Sequence, residues 1–347
     1  MNSIKSVGII GSGEFGKVFS EQLTPEGAEV KIYDSAKKAE IPRNASRVNF
    51  KELSESDAIV IAVPFDSYED IIPKIAKETN PDSLIVDVCS VKVKPTECFN
   101  EYGLLSRPNI LMTHPLFGPQ TSYAGLAGKN VIVTKSKGNL AQELLEDWSK
   151  KSLIRLDMSA EDHDIEMAKV HVLPFFIGRA LLNMNLGDSL ANTNYYSKLL
   201  ALIDVERHHS LELFNTIQKH NPYATSTRTR FITNLSLLDT EISVDEFNYS
   251  NVELKDLQGL RERLDIIDEA RTTLLGLRFK VTRQIGNLKA LYTLPSTDPI
   301  REKEQREQLK KIATDHNVPM DLVLEIQRLI TSKVVKEHDQ LKEAQNQ

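Results

Sequence analysis

The stretch Val-Gly-Ile-Ile-Gly-Ser-Gly-Glu-Phe-Gly, residues 7–16, limits the possible folds more than any other. A β-branched run stops at three glycines in GxGxxG spacing, and a helical pattern begins behind them; that is the strand–loop–helix context of a dinucleotide-binding turn. Gly11 makes the turn, Gly13 lets the backbone approach a pyrophosphate, and Gly16 lets helix and strand pack closely. Ser12, Glu14 and Phe15 complete a helix N-terminus whose amides and dipole face the anion. Asp34 ends the next strand, 18 residues past Gly16, where a carboxylate bonds both ribose hydroxyls and disfavours a 2′-phosphate. NAD is therefore expected over NADP, although Lys37 and Lys38 nearby could accommodate a phosphate.

Short apolar runs at 7–10, 30–33, 58–63, 84–88, 110–112 and 131–133 alternate with helical stretches, the rhythm of a parallel sheet with crossover helices. Pro64, just past the third run, falls at the carboxyl edge where ligands bind. After Asp157 the strand signal stops. Ser159 with Asp162 reads as a cap on a helical segment running through Leu186, and Asn221–Ser250 reads as a connection or loosely packed segment. Three domains are expected: a Rossmann-type α/β domain over 1–157, an all-α domain over 158–250, and an all-α three-helix domain over 251–347.

The last domain is the most regular. Leu257, Leu260, Leu264, Ile267, Arg271, Leu274, Arg278, Val281, Ile285 and Leu288 alternate spacings of three and four, a heptad seam broken by two arginines. One helix from Leu254 to Tyr292 would be on the order of 58 Å long, so its seam needs a partner along its length, and a second subunit is expected. Asp298 caps a second helix with Pro299 at its first position, and a third helix follows Pro319.

Composition narrows the function. Lys plus Arg, 43, against Asp plus Glu, 49, gives a net charge of −6, which argues against nucleic acid or an anionic membrane as partner. Cys89 and Cys98 form neither a disulfide framework nor a metal-ligand spacing, so a reducing, cytoplasmic setting without a metal is expected. No apolar run is long enough to span a bilayer.

Two segments end at the ligand edge: Asp87-Val-Cys-Ser90-Val-Lys92 and Thr113-His114-Pro-Leu-Phe-Gly-Pro119. With the glycine loop they resemble the prephenate dehydrogenase family, whose members carry D-x-x-S-V-K and H-P-x-F-G-P in this order, over about residues 4–200. The resemblance implies that His114 bonds the ring hydroxyl of prephenate and that Ser90 helps hold that histidine and the hydroxyl, while hydride passes to NAD and the ring carboxylate leaves as carbon dioxide. Activity should then fall as pH drops through the imidazole pKa, ordinarily ~6.5. The chain departs from the family at Phe175, where relatives carry a histidine, and at Val205, where they carry an arginine. His171, Arg179 and Arg207 are candidate substitutes; the alternative is that Arg207, His208 and His209 are a solvated helix surface. A reductase of the 6-phosphogluconate dehydrogenase type shares the loop but leaves H-P-L-F-G-P unexplained.

The stretch 260–268, with Arg278, Lys289 and the run Asp298 to Glu302, resembles the all-helical chorismate mutases. Arg278 and Lys289 are 11 residues apart, about 20° on a helix, so they share a face. Arg261 is rotated roughly 100° off that face and some 25 Å away, so one straight helix cannot aim both at a small ligand, and a second chain can supply it. The resemblance implies an intertwined homodimer in which Arg261 of one subunit and Arg278 of the other grip two carboxylates, Lys289 donates to the breaking ether oxygen, and Asp298 and Glu302 bond the hydroxyl. Where relatives carry a serine and a glutamine or glutamate, this chain has Val334 and His338; His338 could donate to the ether oxygen. The combined expectation is an enzyme of tyrosine synthesis that converts chorismate to prephenate and prephenate to 4-hydroxyphenylpyruvate. Arogenate dehydrogenase, or a catalytically inactive mutase-like module for dimerisation or regulation, is the alternative.

Overall fold

The computed structural model describes residues 3–36, 39–245 and 254–345; Lys37, Lys38 and the expected boundary between residues 250 and 251 lie outside them. Two compact units divide the chain, Met1–Ser243 and Val244–Gln347.

The first unit opens with β1 (Ser6–Ile10), α1 (Glu14–Val18), β2 (Glu29–Tyr33), β3 (Ala45–Arg47), α2 (Phe50–Leu53), β4 (Ala58–Ile61), α3 (Tyr68–Glu78), β5 (Leu84–Asp87) and α4 (Val93–Glu101). It continues with β6 (Ile110–Pro115), α5 (Pro119–Ser122), β7 (Asn130–Lys137), α6 (Asn139–Lys150) and β8 (Ile154–Asp157). The strands form one sheet in the order β3-β2-β1-β4-β5-β6-β7-β8. Every neighbouring pair is parallel except β6–β7, which corrects the expectation of a purely parallel sheet. After β6 the chain turns back through a connection whose only helix is the four-residue α5, and β7 runs antiparallel along β6. Two short strands, β3 and β8, also escaped the sequence pattern, because β3 is three residues at the sheet edge and β8 is exposed throughout.

The central strands β4, β5 and β6 are buried on both faces, as a sheet covered by helices on each side requires. Alternation sorts their side chains. Ile9, Val60, Val86 and Leu111 meet Val18, Phe19, Leu144 and Trp148 on one face, while Ile10, Ile59, Ile61, Ile85 and Met112 meet Ile71, Ile72, Ile75 and Phe99 on the other. Strand order reverses between β1 and β4, so the crevice of the topological switch opens above the loop that follows β1.

Behind the sheet come α7 (Ala160–Met167), α8 (Leu173–Asn183), α9 (Asn194–Arg207), α10 (Leu211–His220) and α11 (Ala224–Asp245). Ser159 caps α7 by accepting from the Asp162 amide, as its sequence signals. A wide π-type turn, Ala168–Val172, separates α7 from α8, and α8 stops at Asn183 rather than running through Leu186. The expected connection after Asn221 is in fact the 22-residue helix α11. Its threonines and isoleucines are weak helix formers, yet Asn221 orders its entry by accepting from the Tyr223 amide, and Ala224 packs on Ala168, Val172, Phe175 and Ile217.

The second unit has three helices, α12 (Leu254–Leu291), α13 (Pro299–Asp315) and α14 (Met320–Gln345). The expected long helix, the Asp298 cap on the Arg301 amide and the start after Pro319 are all present.

Candidate active site

The glycine loop has the shape its spacing implies. Gly11 has φ +101°, and a side chain there would meet the Ala62 carbonyl at 2.6 Å; one on Gly16 would collide with the Gly11 carbonyl; Gly13 faces open space. The close approaches weld β1 to β4 and α1, and the open position leaves room for a diphosphate. Asp34 accepts from the amides of Ser12 (2.7 Å) and Ala36 (2.8 Å), which holds its carboxylate against the loop with lone pairs to spare for ribose hydroxyls. The Ser12 hydroxyl donates to the Glu40 carbonyl, and Glu14 pairs with Lys17 along α1. Phe15 touches Phe117, ring centroids 6.3 Å apart, tying α1 to the segment after β6. Pro64 leads into a short turn, Phe65–Ser67, at the same edge. These residues fit a dinucleotide.

His114 is the penultimate residue of β6, 3 % exposed. Its Nδ1 lies 2.9 Å from Nε2 of His163, whose Nδ1 lies 2.7 Å from Oδ1 of Asp164. The Asp164 carboxylate also accepts from the amides of Lys92 (2.8 Å) and Val93 (3.0 Å) at the start of α4. It is thus an acceptor on every side, and this fixes the protons. His163 carries its proton on Nδ1, so its Nε2 accepts, so His114 carries its proton on Nδ1 and presents a bare lone pair at Nε2. No described residue bonds that Nε2. Burial, then the neighbouring His163 and His171 and Lys92, push the His114 pKa well below the usual imidazole value, which keeps the lone pair available.

Ser90 lies on the loop between β5 and α4, and among the described residues none hydrogen-bonds it; His163 is the residue in contact with the His114 ring nitrogen. Beneath that loop Lys92 and Asp87, both fully buried, form an ion pair, and Tyr68 donates to the same carboxylate. The Cys89 amide donates to Asp87 (3.2 Å) and the Thr113 hydroxyl to the Asp87 carbonyl (3.0 Å). Asp87 therefore holds the Cys89 backbone ahead of Ser90 and the Lys92 side chain behind it. Burial first, and then Asp87, push the Cys89 thiol up to about 12, so it is no nucleophile.

A row of rings leads on from His114. His171 stacks on it at 5.3 Å, Phe175 meets His171 edge-on at 4.7 Å, and His209 lies flat on Phe175 at 4.3 Å. Behind His209 the buried Glu206 takes Arg179 at 2.7 Å and His209 at 3.2 Å. Phe175 is a core residue of the helical region. Arg207 is exposed beside Asp204, and His208 bonds the Asp204 carbonyl, so these two form the solvated surface. Sequence reasoning missed His163, Asp164 and Glu206; the adjacent His-Asp pair just inside a capped helix was the available signal.

In the second unit Arg278 and Lys289 are half-buried on α12, and Lys289 donates to the Ser296 carbonyl at 2.9 Å. Arg261 is exposed one helix-length away, Asp298 spends one oxygen on its cap, and Glu302 is half-buried in the first turn of α13. His338 is buried: its Nε2 donates to the Thr282 carbonyl at 2.7 Å, and its Nδ1 has no partner. A neutral His338 thus has only a lone pair left, so donation to an ether oxygen would require a second proton.

A doubly wound sheet with a glycine loop at its switch point and a buried imidazole at the same edge is the arrangement that dinucleotide-dependent dehydrogenases share. Residues 25–151 match the family model described as prephenate dehydrogenase, nucleotide-binding domain, and residues 260–339 match chorismate mutase type II. Residues 180–250 match a third family, TYRAAT1-like, C-terminal domain. "Arogenate dehydrogenase 2, chloroplastic" of Arabidopsis thaliana is 25% identical over 236 residues, 64% of this chain and 66% of that protein. "Chorismate mutase" of Methanocaldococcus jannaschii is 28% identical over 94 residues, 27% of this chain and 95% of its own. Against the first curated relatives the aligned stretch amounts to between 39% and 66% of their length. Among solved structures, prephenate dehydrogenase from A. aeolicus, in complex with hydroxyphenyl propionate and NAD+, superposes with a TM-score of 0.55 at 19% identity, covering 78% of this chain and 99% of that one, which shows the shared fold.

Proposed function

We propose that the chain catalyses two consecutive steps of tyrosine synthesis: rearrangement of chorismate to prephenate in residues 251–347, and NAD-dependent oxidative decarboxylation of prephenate to 4-hydroxyphenylpyruvate in residues 1–250, divided near 157. The observation that carries the second step is the bare Nε2 of His114, fixed by His163 and Asp164 at the crevice edge. Bound NAD supplies the hydride acceptor. His114 takes the proton of the ring hydroxyl at Nε2 as the C4–H electron pair leaves, the bond to the ring carboxylate breaks to release carbon dioxide, and the proton returns to the aromatic oxygen. Ser90, on a loop pinned by Asp87 and Lys92, stands free to bond the hydroxyl.

The first step needs no nucleophile; it needs a compact conformer and positive charge at the ether oxygen in a dry pocket. Lys289 and Arg278 supply the charge from one helix, with Arg261 from a second copy, so the working unit in this reading is a homodimer. Cytoplasmic residence is part of the reading, supported by the reducing pattern of Cys89 and Cys98; among the described residues no helix is long and apolar enough to cross a membrane. Similarity to an arogenate dehydrogenase favours a second reading, in which the amino-acid analogue is the substrate. The geometry of His338 favours a third, in which the helical unit is inactive and serves dimerisation or regulation.

One cuvette tests these. Purified full-length protein with chorismate and NAD is expected to reduce the nucleotide, His114→Asn to accumulate prephenate without reduction, and Lys289→Ala to reduce NAD only when prephenate is added. Reduction with prephenate but never with chorismate would leave the helical unit as an inactive module; reduction only with arogenate would favour the amino-acid reading.

A further inference from the structure

The segment that carries His171 is not ordinary helix. Ala168–Val172 forms a π-type turn ahead of Pro174, which has no N–H to give the carbonyl of the preceding turn, and the Gln218 side chain donates to the Val172 carbonyl at 2.8 Å. Such turns cost hydrogen-bond geometry and re-aim the side chains they carry. Here the side chain re-aimed is His171, laid against His114 with ring planes 26° apart.

Its polar atoms are unspent. Nδ1 is shut off from solvent and has no partner, and Nε2 is open with no protein partner. A buried N–H without an acceptor is the rarer arrangement, so the proton belongs on Nε2. Burial, with His209 and His163 nearby, lowers the pKa to about 4, so the ring is neutral in the working range. Two stacked imidazoles then present opposite faces of hydrogen bonding, a lone pair from His114 and an N–H from His171.

We infer that His171 is a specificity-determining contact of the dehydrogenase crevice, donating from Nε2 to a carboxylate or keto oxygen on the side chain of the substrate whose hydroxyl lies on His114. The inference rests on the dehydrogenase reading above. Donation to the keto oxygen, which arogenate lacks, also sets the preference between analogues. An ammonium needs an acceptor, but His171 offers a donor, and the nearest acid along the ring row, Glu206, is neutralised by Arg179 and lies behind Phe175 and His209. The keto acid, prephenate, is preferred to the amino acid, arogenate.

Steady-state kinetics of the full chain with NAD and each substrate test this. A hydrogen bond to a charged group is worth about 1.5–3 kcal/mol, so His171→Ala is expected to raise KM for prephenate by about 10- to 100-fold with kcat within about threefold. His171→Gln, which keeps an N–H, is expected to recover most of that loss, and His171→Phe, which keeps only the stack, is not. An unchanged KM in His171→Ala, equal recovery by Phe and Gln, or a higher kcat/KM for arogenate would each overturn the inference while leaving the dehydrogenase intact. A parent chain inert with both substrates would remove the dehydrogenase reading itself, and this inference with it.

Discussion

At the scale of single residues, the site is a problem of proton placement. In the proposed dehydrogenase His114 is the base, and Asp164, saturated with donors from the start of α4, dictates the tautomer of His163 and through it that of His114. Removing the middle member leaves the base in place with its orientation and tautomer undetermined. His163→Ala is therefore expected to lower kcat by about 10²-fold or more, the scale of positioned general-base catalysis, with KM for prephenate within about threefold. The acid limb of the parent kcat profile should lie below the ordinary ~6.5, since burial favours neutral His114: protonation, and with it loss of activity, is postponed to lower pH. A stopped-flow pH series on parent and variant reads both; a parent limb above 7, or a variant as fast as the parent, would contradict the relay. His114 was legible in sequence because its signal is local, a histidine between a buried strand and Pro115. His163 was not, since its partner lies 49 residues away and only the packing of α7 on α4 brings the rings together.

At the scale of elements, what the sequence conveyed depended on how far each element governs itself. The long helix α12, the Asp298 cap and the glycine loop follow from periodicity, a side-chain oxygen and missing Cβ atoms, all readable along the chain. Helix α11 was misread because its stability comes from where Ala224 packs rather than from propensity, and the antiparallel β7 because nothing local announces the direction of a strand. One contact between elements is readable from a glycine. In α12, Gly286 lies under His338 of α14, and an added Cβ would meet the imidazole at 2.5 Å and 2.8 Å. Alanine normally gains up to about 1 kcal/mol over glycine in a helix, whereas overpacking costs about 1–3 kcal/mol. Gly286→Ala is thus expected to lower the melting temperature of the C-terminal unit in the parent and to raise it in a His338→Ala background. Calorimetry of the four proteins reads the sign; stabilisation in both backgrounds would mean that α12 and α14 do not meet through this pair.

At the scale of the whole molecule, the two units differ in how they hold themselves together. The first has a sheet covered on both faces. The second buries few side chains among those described, with Thr282, Ala313 and His338 the clear cases, and leaves Leu264, Leu274, Val281, Ile285 and Leu288 of the heptad seam 43–59 % exposed. A helix of 38 residues cannot leave such a stripe in water without cost, and the seam spacing is that of a helix meeting another helix along its length. A second copy, as the proposed mutase requires for Arg261, would also cover this stripe, so one event would complete both core and site. Ile285→Glu separates this from a stable monomer. If the seam faced only water, an exposed substitution would shift stability by no more than about 0.5 kcal/mol and would leave the mass unchanged. If a second copy covers it, each chain buries an uncompensated carboxylate in the interface. Sedimentation equilibrium is then expected to give a dimer for the parent and a concentration-dependent loss of dimer for the variant. Chorismate turnover should fall with the dimer, while NAD reduction from added prephenate persists wherever the first unit stays folded. A parent that sediments as a monomer at every concentration would remove the second arginine from the site, and with it the rearrangement.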